Sequence, residues 1–135
     1  MQKKLIKTKQ LHTKGDHILA VRKHVWYILS QSYLDTAIDI SDIIYMGNEL
    51  AKSNLSISQI RDIDRYEVLP VLKYNLISPA GVWTDFDKEW LFKECHKMYT
   101  KRNHWSHRLK TGTYNFFFYK HFRKKFWTRL EEHIH

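Results

Sequence analysis

Two apolar series at helical spacing stand at opposite ends of this chain, and between them they constrain the fold more than any other feature. Near the start, Ile18, Val21, Val25, Ile28 and Leu29 recur at steps of three, four, three and one, with Trp26 and Tyr33 on the flanks. Near the end, Tyr114, Phe118, Phe122, Phe126 and Leu130 repeat every four residues. A helix turns once in about 3.6 residues, so each series gathers on one side and predicts a helix with a single buried face. Only four glycines and two prolines are spread over 135 residues, which leaves little material for the tight turns of an all-β sandwich. The expected fold is all-α: a compact single-domain bundle of about five helices.

Taken in order, Met1 to Lys14 is lysine-rich without sustained period and is predicted to be a flexible basic arm (residues 1–14), followed by one helical domain over residues 15–135. Asp16 can accept from the free N–H groups of the next turn, so it is the expected cap of a first helix over residues 17–34. Asp39 or Ser41 should cap a second helix carrying Ile43, Gly47 and Leu50, ending at Asn54. Glycine inside a helix costs about 1 kcal/mol relative to alanine, so Gly47 predicts a close helix contact. Ser56 and Gln59 have capping-box spacing and open a third helix at Ile57. Pro70 lies inside that run; it lacks an N–H and crowds the carbonyl four residues back, so a kink or break is expected near Glu67. Ser78, Pro79, Ala80 and Gly81 form a turn, and Asp85 or Asp87 should cap a fourth helix through Trp90, Leu91, Cys95 and Met98. Lys101 to Gly112 reads as basic and irregular, leading into a fifth helix that carries the aromatic series.

Charge is distributed unevenly. Residues 1–24 carry seven Lys and Arg against one Asp, residues 25–94 six against eleven acids, and residues 95–135 ten against two, for a total of +9. An acidic body is therefore flanked by basic ends. Cys95 is the single cysteine, which rules out an internal disulfide and fits a reducing compartment. The basic N-terminus has no apolar run behind it, and no stretch approaches the ~20 apolar residues of a membrane span. A soluble, cytoplasmic protein is expected.

No residue pattern names a reaction. Asp35, Asp39, Asp42, Glu67, Asp85 and Asp87 lack the spacing of a calcium loop or an acid–base pair, and several sit where a helix N-terminus favours negative charge. His104 and His107 are three apart, as two ligands on a helix would be, but no third ligand is evident nearby, so no metal or other cofactor is expected. Cys95 and His96, as helical neighbours, point about 100° apart and make a poor nucleophile and base. The segment from Glu49 to Ile63 has the lengths of a helix-turn-helix, but Asp62, Asp64 and Glu67 outnumber Arg61 and Arg65 where phosphates would lie. Lys120, Arg123, Lys124, Lys125 and Arg129 interleave with aromatics that could stack on bases, or else form the solvated face of a terminal core helix.

The middle of the chain resembles a family of small bacterial proteins of unknown function. The likeness rests on Val25-Trp26, Leu29-Ser30, Leu34-Asp35-Thr36, Tyr66-Glu67-Val68, Pro70-Val71-Leu72, Asn75-Leu76, Ser78, Ala80-Gly81, Trp83, Phe86-Asp87 and Trp90-Leu91, over roughly residues 18 to 92. Val82 stands where the family pattern has an acidic residue, and Asp85 where it has a small one. The resemblance implies a helical fold and no established chemistry. By analogy of size, such proteins suggest antitoxin or immunity partners of secreted toxins. The leading expectation is thus a non-enzymatic protein-binding module, an immunity protein neutralising a cognate bacterial toxin or secretion-system effector. Its contacts would be Asp35, Asp39, Asp42, Asp85 and Asp87, with Trp83 as aromatic anchor. The alternative is a nucleic-acid-associated protein working through Lys120, Arg123, Lys124, Lys125, Arg129 and the N-terminal arm.

Overall fold

The structure, a computed structural model, describes residues 2–34, 38–76 and 86–134. Helix α1 spans Gln2–Ser30 and closes in a 3-10 turn, Gln31–Tyr33; α2 spans Ile40–Ala51. Helix α3, Ile57–Ile63, runs through a π-helical turn, Asp64–Val68, into α4, Leu69–Leu72, and a 3-10 turn, Lys73–Leu76. Helix α5 covers Lys88–Lys101, and α6, Trp105–Phe118, continues through a second π turn, Tyr119–Arg123, into α7, Lys124–Glu131. Because α3–α4 and α6–α7 are each continuous, the bundle is five helical rods with no strand among the described residues.

The caps are those the side chains dictate. Asp39 and Asp42 form a reciprocal capping box at the start of α2, and Ser56 and Gln59 do the same for α3. Asp87 accepts from the Trp90 N–H at 2.7 Å to open α5. Asn54, at φ 60°, takes the left-handed turn after α2, a conformation that asparagine tolerates. Gly47 is where α2 meets the C-terminal turn: a Cβ there would lie 2.6 Å from the His133 carbonyl oxygen, so only glycine allows the approach. Around that contact the core joins Val25, Trp26 and Leu29 of α1 to Ile43 and Leu50 of α2, Ile60 and Ile63 of α3, Leu91 and Cys95 of α5, and Trp127 and Leu130 of α7.

Three expectations change. Helix α1 begins at Gln2 rather than at residue 17, so the predicted arm is helical and Asp16 lies inside the helix, paired with His12 at 3.5 Å instead of capping. Lysine and glutamine are good helix formers, and Thr8 and Thr13 hydroxyls bond back to the carbonyls of Lys4 and Lys9, but this half of α1 is exposed and its burial starts near Val25. Lys101 to Gly112 is not irregular; after a turn at Arg102 and Asn103 it enters α6, with Gly112 inside the helix. Finally, the four-residue aromatic repeat breaks at the second π turn, where the extra residue rotates Phe122 outward and brings Arg123 into the core.

Candidate functional site

Asp64 and Glu67 share the first π turn, and both point into the core. Asp64 Oδ1 accepts from the Tyr33 hydroxyl at 2.6 Å; its Oδ2 accepts from Arg123 Nη2 and Trp127 Nε1, both at 2.9 Å. Arg123, only 2% exposed, also donates Nη1 to Ser32 Oγ at 2.8 Å, and its guanidinium lies over the Tyr33 and Phe126 rings. Burial, opposed in part by Arg123 and reinforced by Asp64, raises the Tyr33 hydroxyl well above its ordinary pKa, so it stays a donor. Glu67 accepts from Arg22 Nε at 3.1 Å and Trp26 Nε1 at 3.0 Å; burial raises its carboxyl above the usual range despite the neighbouring cation. Each buried charge has its partner, so these groups hold helices in register.

Of the acidic contacts expected from sequence, the described ones serve helix caps. Asp39 and Asp42 are exposed but are tied to each other's backbone at the α2 cap, and the Ser41 hydroxyl at 2.6 Å with the Asp42 amide holds the Asp39 carboxyl below its usual pKa. Asp87 belongs to the cap of a different helix, α5. Asp35, Trp83 and Asp85, and the turn expected at Ser78 to Gly81, lie outside the described residues. Of the basic set, Arg123 is in the core, and Arg129 is half-buried with Nη1 donating to the Ile38 carbonyl at 3.2 Å. Lys120, Lys124 and Lys125 are exposed and, among the described residues, none of them is in an ion pair. Beside them Phe117 and Phe122 are also exposed, their rings 6.3 Å apart.

The outer face of α6 carries what the sequence reading missed. Trp105 is 78% exposed, Leu109 68% and Phe116 76%, and with Gly112 they follow one another at steps of four, three and four. That spacing lines them along one side of the helix for about 16 Å. A Cβ at Gly112 would meet nothing within 4 Å, so the helix is uncovered at that step. It is a line of large apolar groups rather than a single exposed residue. The signal was in the sequence, but reading Lys101 to Gly112 as irregular removed the helix that aligns it.

His107 and the cysteine have structural surroundings, while His104 is exposed. His107 Nε2 bonds the Tyr66 carbonyl at 2.9 Å, and Cys95 is buried on α5 with its thiol pKa pushed well up by burial and by Glu67. Among the described residues no group of three or more His, Cys, Asp or Glu is arranged to hold a metal ion, and no helix is long and apolar enough to cross a membrane.

Compared with known proteins, residues 20–133 match the profile of a domain of unknown function, DUF7079. No curated protein and no solved structure matches the chain.

Proposed function

This chain belongs to the DUF7079 family, whose function is unknown, and we propose that it is a non-enzymatic binding protein that docks a partner protein on the outer face of α6. In this reading it acts as an immunity protein that neutralises a cognate toxin or secretion-system effector. The observation that carries it is the exposed line of Trp105, Leu109 and Phe116. Aromatic anchors at helical spacing are what a helix presents to an apolar groove, and large aromatics dominate the energetics of such contacts. Lys120, Lys124 and Lys125, exposed further along the same rod, favour a groove with an acidic rim. In this reading the contact lies on α6 rather than on the acidic residues, of which Asp39, Asp42 and Asp87 serve helix caps.

Co-purification with the product of the neighbouring gene tests this. Trp105→Ala and Phe116→Ala touch exposed side chains, so helicity and melting should be unchanged while each weakens binding by roughly 30-fold, the scale of a hot-spot residue. A neighbouring product that neither binds nor kills cells lacking this protein would sink the reading.

A second reading, nucleic-acid association, is favoured by Lys120, Lys124 and Lys125, which among the described residues are in no ion pair, beside the exposed Phe117 and Phe122. It requires retardation of single-stranded DNA or RNA that fades steeply with salt and is reduced by alanine at Lys124 and Lys125.

A further inference from the structure

A groove of about 600 Å³ opens where α4 faces the α5–α6 turn, on ground that neither binding surface above uses. Its basic lysine lining comes from three helical segments, Lys73 after α4, Lys101 at the end of α5 and Lys110 in α6, with His104 and His107 beside them. Among the described residues no carboxylate lines it. Lys73 Nζ is held between the Tyr74 and Tyr114 rings, at 4.7 and 4.6 Å, and donates to the Pro70 carbonyl at 3.1 Å, which fixes the ammonium at the groove wall. Burial, and then the nearby Lys110 ammonium, lower the pKa of Lys73, and among the described residues neither lysine is in an ion pair.

The first turn of α6 adds donors. His104 is the N-cap residue but makes no side-chain capping bond, and the first backbone bond of the helix runs from the Arg108 N–H to the His104 carbonyl at 3.0 Å. The amides of Trp105, Ser106 and His107 precede that bond and have no acceptor within the helix. Three lysines and the positive end of a helix thus converge on one recess.

We propose that this groove binds a phosphomonoester, with the phosphoryl group between Lys73, Lys110 and the first turn of α6. Inorganic phosphate alone fits the charged end, and the remaining volume accommodates an organic group. The test is an amide-shift titration of the full chain at pH 7 with inorganic phosphate, with adenosine 5′-monophosphate, and with sodium chloride at matched ionic strength. Saturable shifts at Ser106, His107 and Lys110 are expected with both phosphates. Tighter binding of the nucleotide by about 10-fold or more identifies an ester as the ligand, and equal binding identifies orthophosphate itself. Lys110→Gln, on the exposed side of α6, should weaken binding about 10-fold without altering melting; Lys73→Gln should do the same if the fold survives loss of its ring contacts. Chloride reproducing the shifts, no saturation by about 10 mM phosphate, or full affinity in Lys110→Gln would overturn the assignment.

Discussion

The two π turns do the same thing to the backbone for different reasons. At Asp64–Val68 the cause is local: the Leu69 N–H bonds the Asp64 carbonyl, and Pro70 has no N–H, so the carbonyls of Arg65 and Tyr66 lose their helical donors. Helix α6 supplies replacements, Asn115 Nδ2 to Arg65 at 3.3 Å and His107 Nε2 to Tyr66 at 2.9 Å. At Tyr119–Arg123 no proline or glycine intervenes. What that turn gains lies elsewhere in the molecule: it rotates Arg123 onto Asp64, so the widened turn of one rod delivers the base that neutralises the acid delivered by the other. A backbone break imposed by its own sequence is visible locally, whereas one stabilised by a distant partner is not.

Removing the Arg123 side of this pairing should have the largest effect. Arg123→Met leaves Asp64 buried with only the neutral donors of Tyr33 and Trp127, and an orphaned buried charge costs about 3–5 kcal/mol. Denaturant melts should register that loss. A double substitution, Asp64→Leu with Arg123→Met, removes both charges and should cost much less than the sum of the two single changes. Additive losses would mean that the second π turn does not depend on the pair.

The first turn should respond to its proline. His107→Ala leaves the Tyr66 carbonyl without its donor, at a cost of about 1–3 kcal/mol where the group stays away from water. In a Pro70→Ala background the new N–H can bond the same carbonyl, so the His107→Ala penalty should shrink. A double-mutant cycle in urea reads the difference directly, and an unchanged penalty would separate the α6 contact from the helix break.

Legibility followed the same division. Capping boxes need only residues three apart, and the Asp87 cap and the crowding of Gly47 also left local marks. A disturbance of the helix near Glu67 was readable because Pro70 forces it, and it takes the form of the π turn Asp64–Val68. The second π turn was not, since the aromatic series keeps its spacing of four straight through it; Phe122 was expected inside and Arg123 outside, and their places are exchanged. The candidate surface was lost one step earlier. Trp105, Leu109 and Phe116 stand out only once α6 is known to begin at Trp105, and that start carries no capping side chain to announce it.

The smallest effect, and the one that sharpens the contrast between the two buried acids, is the pH dependence of Glu67. Its folded pKa is raised above 4.5 by burial, so the folded chain holds this proton to higher pH than the unfolded chain does. Any group that binds its proton more tightly when folded makes stability fall as pH rises from the unfolded pKa to the folded one. Glu67 should therefore subtract from stability across that window, even though Arg22 and Trp26 partner its carboxylate. Glu67→Gln keeps the shape and removes the titration, so its denaturant midpoint should lose that decline as pH rises above 4.5. If the wild-type decline persists in Glu67→Gln, another group causes it, and the carboxylate facing Arg22 is then charged throughout, as the pairing alone would have it.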